Sequence, residues 1–178
     1  MSVVTYREDE ASDQPVGDLP LTLRLNESFE EFVTLNPDLV VEQNANGEIV
    51  IMSPTGGESS ERNAELTFQL RAWSKQFGGV TFDSSVIFCL PDGSKRSPDA
   101  SWISSERWLA LPLEDRKKYP PITPDFVIEL RSESDRLTNR VHMYQQGIPV
   151  EILESPESVS NQELLPEFTL DLMPIWKK

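Results

Sequence analysis

Cysteine and histidine are almost absent from this chain: Cys89 and His142 are the only ones in 178 residues. A lone cysteine excludes an intrachain disulfide and a cysteine-rich zinc site, and a lone histidine excludes a two-histidine metal site. Any metal must then be held mainly by oxygen, which selects Mg²⁺ or Mn²⁺. Long apolar runs are also lacking. None approaches the ~20 residues that a bilayer-spanning helix needs, so no membrane partner is expected. The opening stretch MSVVTYREDEASDQPVGD is acidic and polar, without the apolar core of a secretory leader. Cytoplasmic residence is the resulting expectation. Positive charge is scarce, with 16 Lys and Arg against 30 Asp and Glu and a formal net charge of −14. Such a chain gains little from phosphate neutralisation unless its basic residues are clustered, so a plain acidic domain stands as the alternative to any nucleic-acid reading.

What is present is ordinary for a globular protein: 38% hydrophobic and 26% charged residues, in a length that suits one domain. Residues 1–20 read as a flexible acidic tail and residues 21–178 as the folded domain. Ser28 and Glu31 form a possible capping box ahead of a short helix ending near Leu35, before Pro37. The apolar runs around Leu39–Gln43 and Glu48–Met52 flank Asn46-Gly47, which predicts a hairpin with a type I′ turn. Ser59 or Ser60 is placed to cap a longer helix. On it Leu66, Leu70, Trp73 and Phe77 form one apolar stripe, and Gly78-Gly79 ends it. A strand is expected from Val80 to Leu90, a turn at Pro91-Asp92-Gly93, and a second strand from Lys95 to Ile103. Residues 105–119 read as helix, stopped by Pro120, Pro121 and Pro124. A buried strand covers Asp125–Arg131, and short strands follow at 141–144, 150–153 and 168–172.

Two segments place carboxylates in or beside strands that otherwise look buried: Lys95-Arg96-Ser97-Pro98-Asp99-Ala100-Ser101-Trp102 and Pro124-Asp125-Phe126-Val127-Ile128-Glu129-Leu130-Arg131. Alternation puts Phe126, Ile128 and Leu130 on one face and Asp125, Val127, Glu129 and Arg131 on the other. At roughly 3.3 Å per residue, Glu129 and Arg131 lie about 6–7 Å apart, whereas Asp125 lies about 13 Å from Glu129. Glu129 therefore needs a partner carboxylate from another strand, and Asp99 is the candidate. A carboxylate in a buried strand costs several kcal/mol unless it is paired or bound to a cation. Pairing of Glu129 with Arg131 or Arg136, and simple solvation of Asp99, are the plainer readings. Trp73, Trp102 and Trp176 read as core rather than base-stacking residues, His142 as a packed or surface residue, and Arg116-Lys117-Lys118 as a solvated face.

These segments resemble the Uma-type putative restriction endonucleases, a family large in cyanobacteria within the PD-(D/E)xK nuclease superfamily. The resemblance runs from about Ser28 to Trp176. It rests on the run from Gly47 to Gly57, on Arg62-Asn63-Ala64-Glu65-Leu66, on Arg96 to Trp102, on Pro124 to Ser132 with Ser134-Asp135-Arg136-Leu137, and on Leu165-Pro166-Glu167-Phe168. It implies an α/β (α+β) fold of the restriction-endonuclease type, a mixed β-sheet flanked by helices. It also implies a divalent metal and hydrolysis of DNA phosphodiester bonds. On it, Asp99 matches the aspartate of the PD half and Glu129 the acidic residue of the (D/E)xK half. Glu65, on the first long helix, matches a third acidic residue that related nucleases often carry, and Glu42 is a weaker candidate.

The chain departs from this pattern after Leu137, where a helix carrying a lysine and the strand after it are missing. Arg131 stands where a literal (D/E)xK pattern has lysine; it can hold phosphate but is a poor general base. Two functional expectations result: a Mg²⁺- or Mn²⁺-dependent DNA endonuclease using Asp99, Glu129 and Arg131, or a catalytically inactive relative acting as a binding or interaction module. The missing strand also leaves a sheet edge that a homodimer could cover.

Overall fold

The computed structural model describes residues 21–23, 28–52, 54, 56–130, 140–145 and 148–176. The fold is a mixed α/β arrangement, as expected, and every strand pairing among the described residues is antiparallel. The departure from the family pattern expected after Leu137 falls within residues 131–139, outside the described residues.

A short strand β1 (Leu21–Leu23) precedes helix α1 (Phe29–Leu35). The capping box forms: the Ser28 hydroxyl accepts from the Glu31 N–H, and the Glu31 carboxylate accepts from the Ser28 N–H at 3.1 Å. Two donors that the first turn would otherwise leave unpaired are thereby satisfied. The helix buries Phe29 and Phe32 against Val41 and Ile49 of the hairpin that follows.

That hairpin joins β2 (Val41–Gln43) to β3 (Ile49–Ile51), with Val41 opposite Ile51 and Gln43 opposite Ile49. Its turn differs from the expected type I′, which needs positive φ at both Asn46 and Gly47. Only Gly47 is positive, at +85°, and its N–H donates to the Asn44 carbonyl at 2.9 Å. The connection is a longer turn closed by a left-handed glycine, the other common hairpin solution.

Helix α2 (Gly57–Phe77) begins two residues before the expected serine caps, with Gly56 at its N-cap and no side-chain cap. Leu66, Leu70 and Trp73 are buried as the stripe predicts, and Phe77 is exposed. Each fully buried aliphatic or aromatic side chain of this kind contributes roughly 1.5–3 kcal/mol. Gly78 and Gly79 end the helix with φ of +91° and +83°.

The two long strands expected over 80–90 and 95–103 are each divided. The first becomes β4 (Val80–Asp83) and β5 (Phe88–Cys89); the second becomes β6 (Lys95–Arg96) and β7 (Ala100–Ile103). The first break is an Asx turn, in which the Asp83 carboxylate accepts the Ser85 N–H at 3.0 Å. The second falls at Ser97-Pro98-Asp99, where proline removes a ladder donor. The halves go to different sheets. One has the order β1-β3-β2-β6-β5; the other is β4-β7-β8, where β8 is Phe126–Ile128. Asp99 thus sits at the junction between them.

Helices α3 (Ser105–Ala110) and α4 (Leu113–Arg116) replace the single helix expected over 105–119, parted at Leu111-Pro112. A two-stranded ribbon, β9 (Arg140–Gln145) and β10 (Ile148–Glu154), precedes a second one, β11 (Ser158–Ser160) and β12 (Thr169–Asp171), and the short helix α5 (Met173–Trp176).

The main core lies between α2, strands β7 and β8, and the segment 165–175. Leu66, Leu70 and Trp73 meet Ala100, Trp102, Leu165, Phe168 and Ile175, with Phe126, Ile128 and Leu130 packed against them. The alternation read from the β8 segment is the observed one. The indole N–H groups are satisfied by carbonyls: Trp73 by Pro166, Trp102 by Gly78 and Trp176 by Pro156. These tryptophans belong to the packing and are not free platforms. Among the described residues, no helix is long and apolar enough to cross a membrane.

Candidate metal centre

Strand β7 starts at Ala100 and β8 ends at Ile128, and these two residues are register partners. One step further along the antiparallel pair, Asp99 and Glu129 fall opposite one another, just beyond the strand ends. Backbone and side chains interlock there. The Asp99 carboxylate accepts the Leu130 N–H on Oδ2 at 2.6 Å and the Asn63 amide of α2 on Oδ1 at 2.7 Å. The Glu129 carboxylate in turn faces the Asp99 N–H.

Electrostatics couple the pair. Burial pushes the Asp99 carboxyl up, with Glu42 adding to the rise, while the Leu130 N–H and Asn63 oppose it. The Glu129 carboxyl is pushed up to about 8, first by desolvation, then by the charges of Asp99 and Glu42, with the Asp99 N–H and Arg96 opposing. Glu129 nevertheless remains exposed to solvent. Both facts hold in a recess, where protein and like charge crowd the group while water or a cation still reaches it.

Glu42 lies beside the pair but is committed elsewhere. It stands across from Arg96 on β6, ion-paired at 3.0 Å, and its other oxygen accepts the Ser97 N–H at 2.8 Å. Arg96 also donates to Asn44 at 3.0 Å. This network fastens β2 to the segment that delivers Asp99. Lys95, one residue earlier and so on the opposite face, donates to Gln43 at 2.6 Å and lies 4.8 Å over the Phe29 ring.

The donor set suits a hard divalent cation. It offers two crowded carboxylates and the Asn63 Oδ1, a buried oxygen without a hydrogen-bond donor among the described residues. Among the described residues, no group of three or more His, Cys, Asp or Glu is placed to hold a metal ion. Glu65 is accordingly not brought to the pair. It lies two positions after Asn63, about 200° around the helix, and its carboxylate accepts from Gln69 at 2.8 Å. Arg131 lies outside the described residues. Asp125 is a structural carboxylate: it is 7% exposed, ion-paired with Arg107, and accepts the Ser104 N–H at 2.9 Å.

Asn63 carries no role in the sequence reading, although it shows a signal. Spaced three residues before Leu66 and seven before Leu70, it extends the buried stripe of α2, and an amide in an apolar row needs a polar partner. The Glu42–Arg96 pairing had no local signal, since it depends on the β2–β6 register.

The fold is a mixed α/β domain that sets two carboxylates opposite one another at the end of a strand pair. The family model described as Uma2, putative restriction endonuclease, matches residues 27–140, more than half of the chain and including both Asp99 and Glu129. The chain belongs to this family. The match ends where β9 begins, so the resemblance read at Leu165–Phe168 lies outside it. No curated protein matches the chain.

Proposed function

We propose that this chain is a Mg²⁺- or Mn²⁺-dependent endonuclease of the cytoplasm that hydrolyses DNA phosphodiester bonds, with Asp99 and Glu129 as its metal-holding carboxylates. The observation that carries this reading is the placement of Asp99 and Glu129 opposite one another at the β7–β8 end, in a chain of a restriction-endonuclease family. A divalent cation, when bound, supplies positive charge to the phosphate and acidifies water. The chain's own residues do the rest. Leu130 and Asn63 fix the Asp99 carboxylate, so its free lone pairs point in a set direction. Glu129 is pushed up to about 8 in the metal-free chain, and a cation bound beside it would hold it ionised, so metal binding is coupled to release of a proton there. Arg131 is assigned on sequence alone to the negative charge that builds on the phosphate.

A second reading, an inactive relative that binds without hydrolysis, is favoured by one observation: the Lys95 ammonium is occupied by Gln43 and Phe29 rather than directed at the carboxylates. Homodimerisation is proposed on separate ground. Among the described strands, β9 and β10 pair only with each other, leaving edges that a second copy can cover.

Incubation with supercoiled, linear and single-stranded DNA, in Mg²⁺, Mn²⁺ or EDTA, separates the readings. Metal-dependent cleavage that is lost in Asp99→Asn and Glu129→Gln supports the endonuclease. Intact DNA in every condition, with metal binding retained, leaves the inactive relative.

A further inference from the structure

An open groove of about 720 Å³ runs from Asp99 along α2 to the turn at Asp83-Ser84. Its helical wall carries Asn63, Thr67, Arg71 and Lys75 at successive four-residue steps. This oblique row is about 18 Å long at 1.5 Å per residue. It begins at the residue that holds Asp99. Arg71 and Lys75 are exposed, and neither forms an ion pair among the described residues. Between them and Asn63 stands Phe68, 65% exposed although aromatic. Two cations without an ion pair among the described residues and an open ring, on a chain of net charge −14, are a local exception to its surface chemistry.

We infer that this groove holds a single DNA strand, which runs from the Asp99–Glu129 pair past Phe68 to Lys75. The inference rests on the endonuclease reading and narrows its substrate to DNA with a single-stranded segment. Charge density decides for a single strand over a duplex. A duplex brings one negative charge per ~1.7 Å of axis, a single strand one per ~3.4 Å, and two cations beside so acidic a body match the sparser of the two. A groove against one helix face also admits one strand. Phe68 gives an unpaired base a stacking surface, which a base inside a duplex cannot use. At ~3.4 Å per nucleotide, the row spans about five nucleotides.

The test is fluorescence anisotropy of the full chain with a labelled oligothymidylate and with a duplex of equal length, in EDTA, across salt concentrations. The single strand should bind more tightly. Phe68→Ala should weaken it roughly tenfold or more. Arg71→Gln with Lys75→Gln should flatten the slope of log affinity against log salt by about 1.4, two contacts at ~0.7 each. All three side chains are exposed, so these variants keep the packed core. Duplex binding equal to or tighter than single-strand binding, or variants that bind like wild type, overturns the inference. Cleavage assays keep the two readings apart. Wild-type binding without cleavage sinks the endonuclease and leaves the groove standing. Cleavage by the groove variants with unchanged KM sinks the groove and leaves the endonuclease standing.

Discussion

The Asp99 carboxylate and the Leu130 N–H meet at 2.6 Å, joining residues 31 positions apart in the chain. This bond crosses the end of the β7–β8 pair and holds Asp99 against the segment that carries Glu129. The same carboxylate takes the Asn63 amide from α2, so three elements converge on one side chain. A carboxylate this well held is rigid, and its crowding by Glu129 gives it a use for a cation.

Metal binding should be weak and should depend on both acids. Two carboxylates leave most of the six positions around Mg²⁺ to water and phosphate. Calorimetry with Mn²⁺ or Mg²⁺ should show one site in the wild type and none in Asp99→Asn or Glu129→Gln. Glu65→Gln should bind like wild type, because Glu65 is bonded to Gln69 and apart from the pair. A loss in Glu65→Gln equal to that in Glu129→Gln would contradict the arrangement.

Stability of the metal-free protein should fall as pH rises through neutrality. Glu129 is pushed from its ordinary 4.5 to about 8 in the folded chain. Between these values the folded state keeps a proton that the unfolded state has released, so its contribution is full below about 4.5 and is lost by about 8. Asp99, also raised, acts in the same direction. Urea midpoints from pH 5 to pH 8 should therefore decline more steeply in wild type than in Glu129→Gln. Added Mg²⁺ should recover part of the loss at pH 8. Parallel wild-type and variant curves would remove the crowding argument.

Asp125 provides the contrasting carboxylate. Its ion pair with Arg107 and its bond to the Ser104 N–H secure the start of α3 against the start of β8. Asp125→Ala should cost about 1–2 kcal/mol of stability, chiefly because the Ser104 N–H loses its acceptor, while the half-exposed Arg107 regains water. Calorimetric metal binding should be unchanged in it at a temperature where it stays folded. Metal binding lost along with stability would place Asp125 in the site.

Two glycines with similar φ should differ in how far they tolerate alanine. Gly79 (+83°) lies under Trp102, so that an added Cβ would overlap the indole and stand 2.7 Å from the Ile103 carbonyl. Gly93 (+87°) has nothing within 4 Å. Gly93→Ala should cost only the left-handed backbone penalty, about 1–2 kcal/mol. Gly79→Ala adds overlap in a packed core and should cost about 3 kcal/mol or more by urea unfolding. Equal losses would mean that α2 can shift away from β7 at little cost.

The local parts of this structure were determined by the sequence itself. The Ser28–Glu31 capping box, the Leu66-Leu70-Trp73 stripe, the glycine end of α2 and the alternation of Phe126, Ile128 and Leu130 act through neighbours a few residues apart, so a single pass along the chain reads them. Asp99 and Glu129 were legible as unpaired acids in apolar surroundings, and the family pattern joined them. Tertiary structure alone decided the rest. Whether 80–90 and 95–103 run straight or divide depends on which sheet each half joins, and sheet partners are distant in sequence. Asn63 reaches Asp99 across 36 residues and Arg96 reaches Glu42 across 54. Such contacts follow from the register of β2 on β6 and from the packing of α2 on β7, which no local period encodes. The same packing distinguishes two aspartates that each follow a proline beside a strand. Asp125 meets an arginine and a helix start, whereas Asp99 meets another acid.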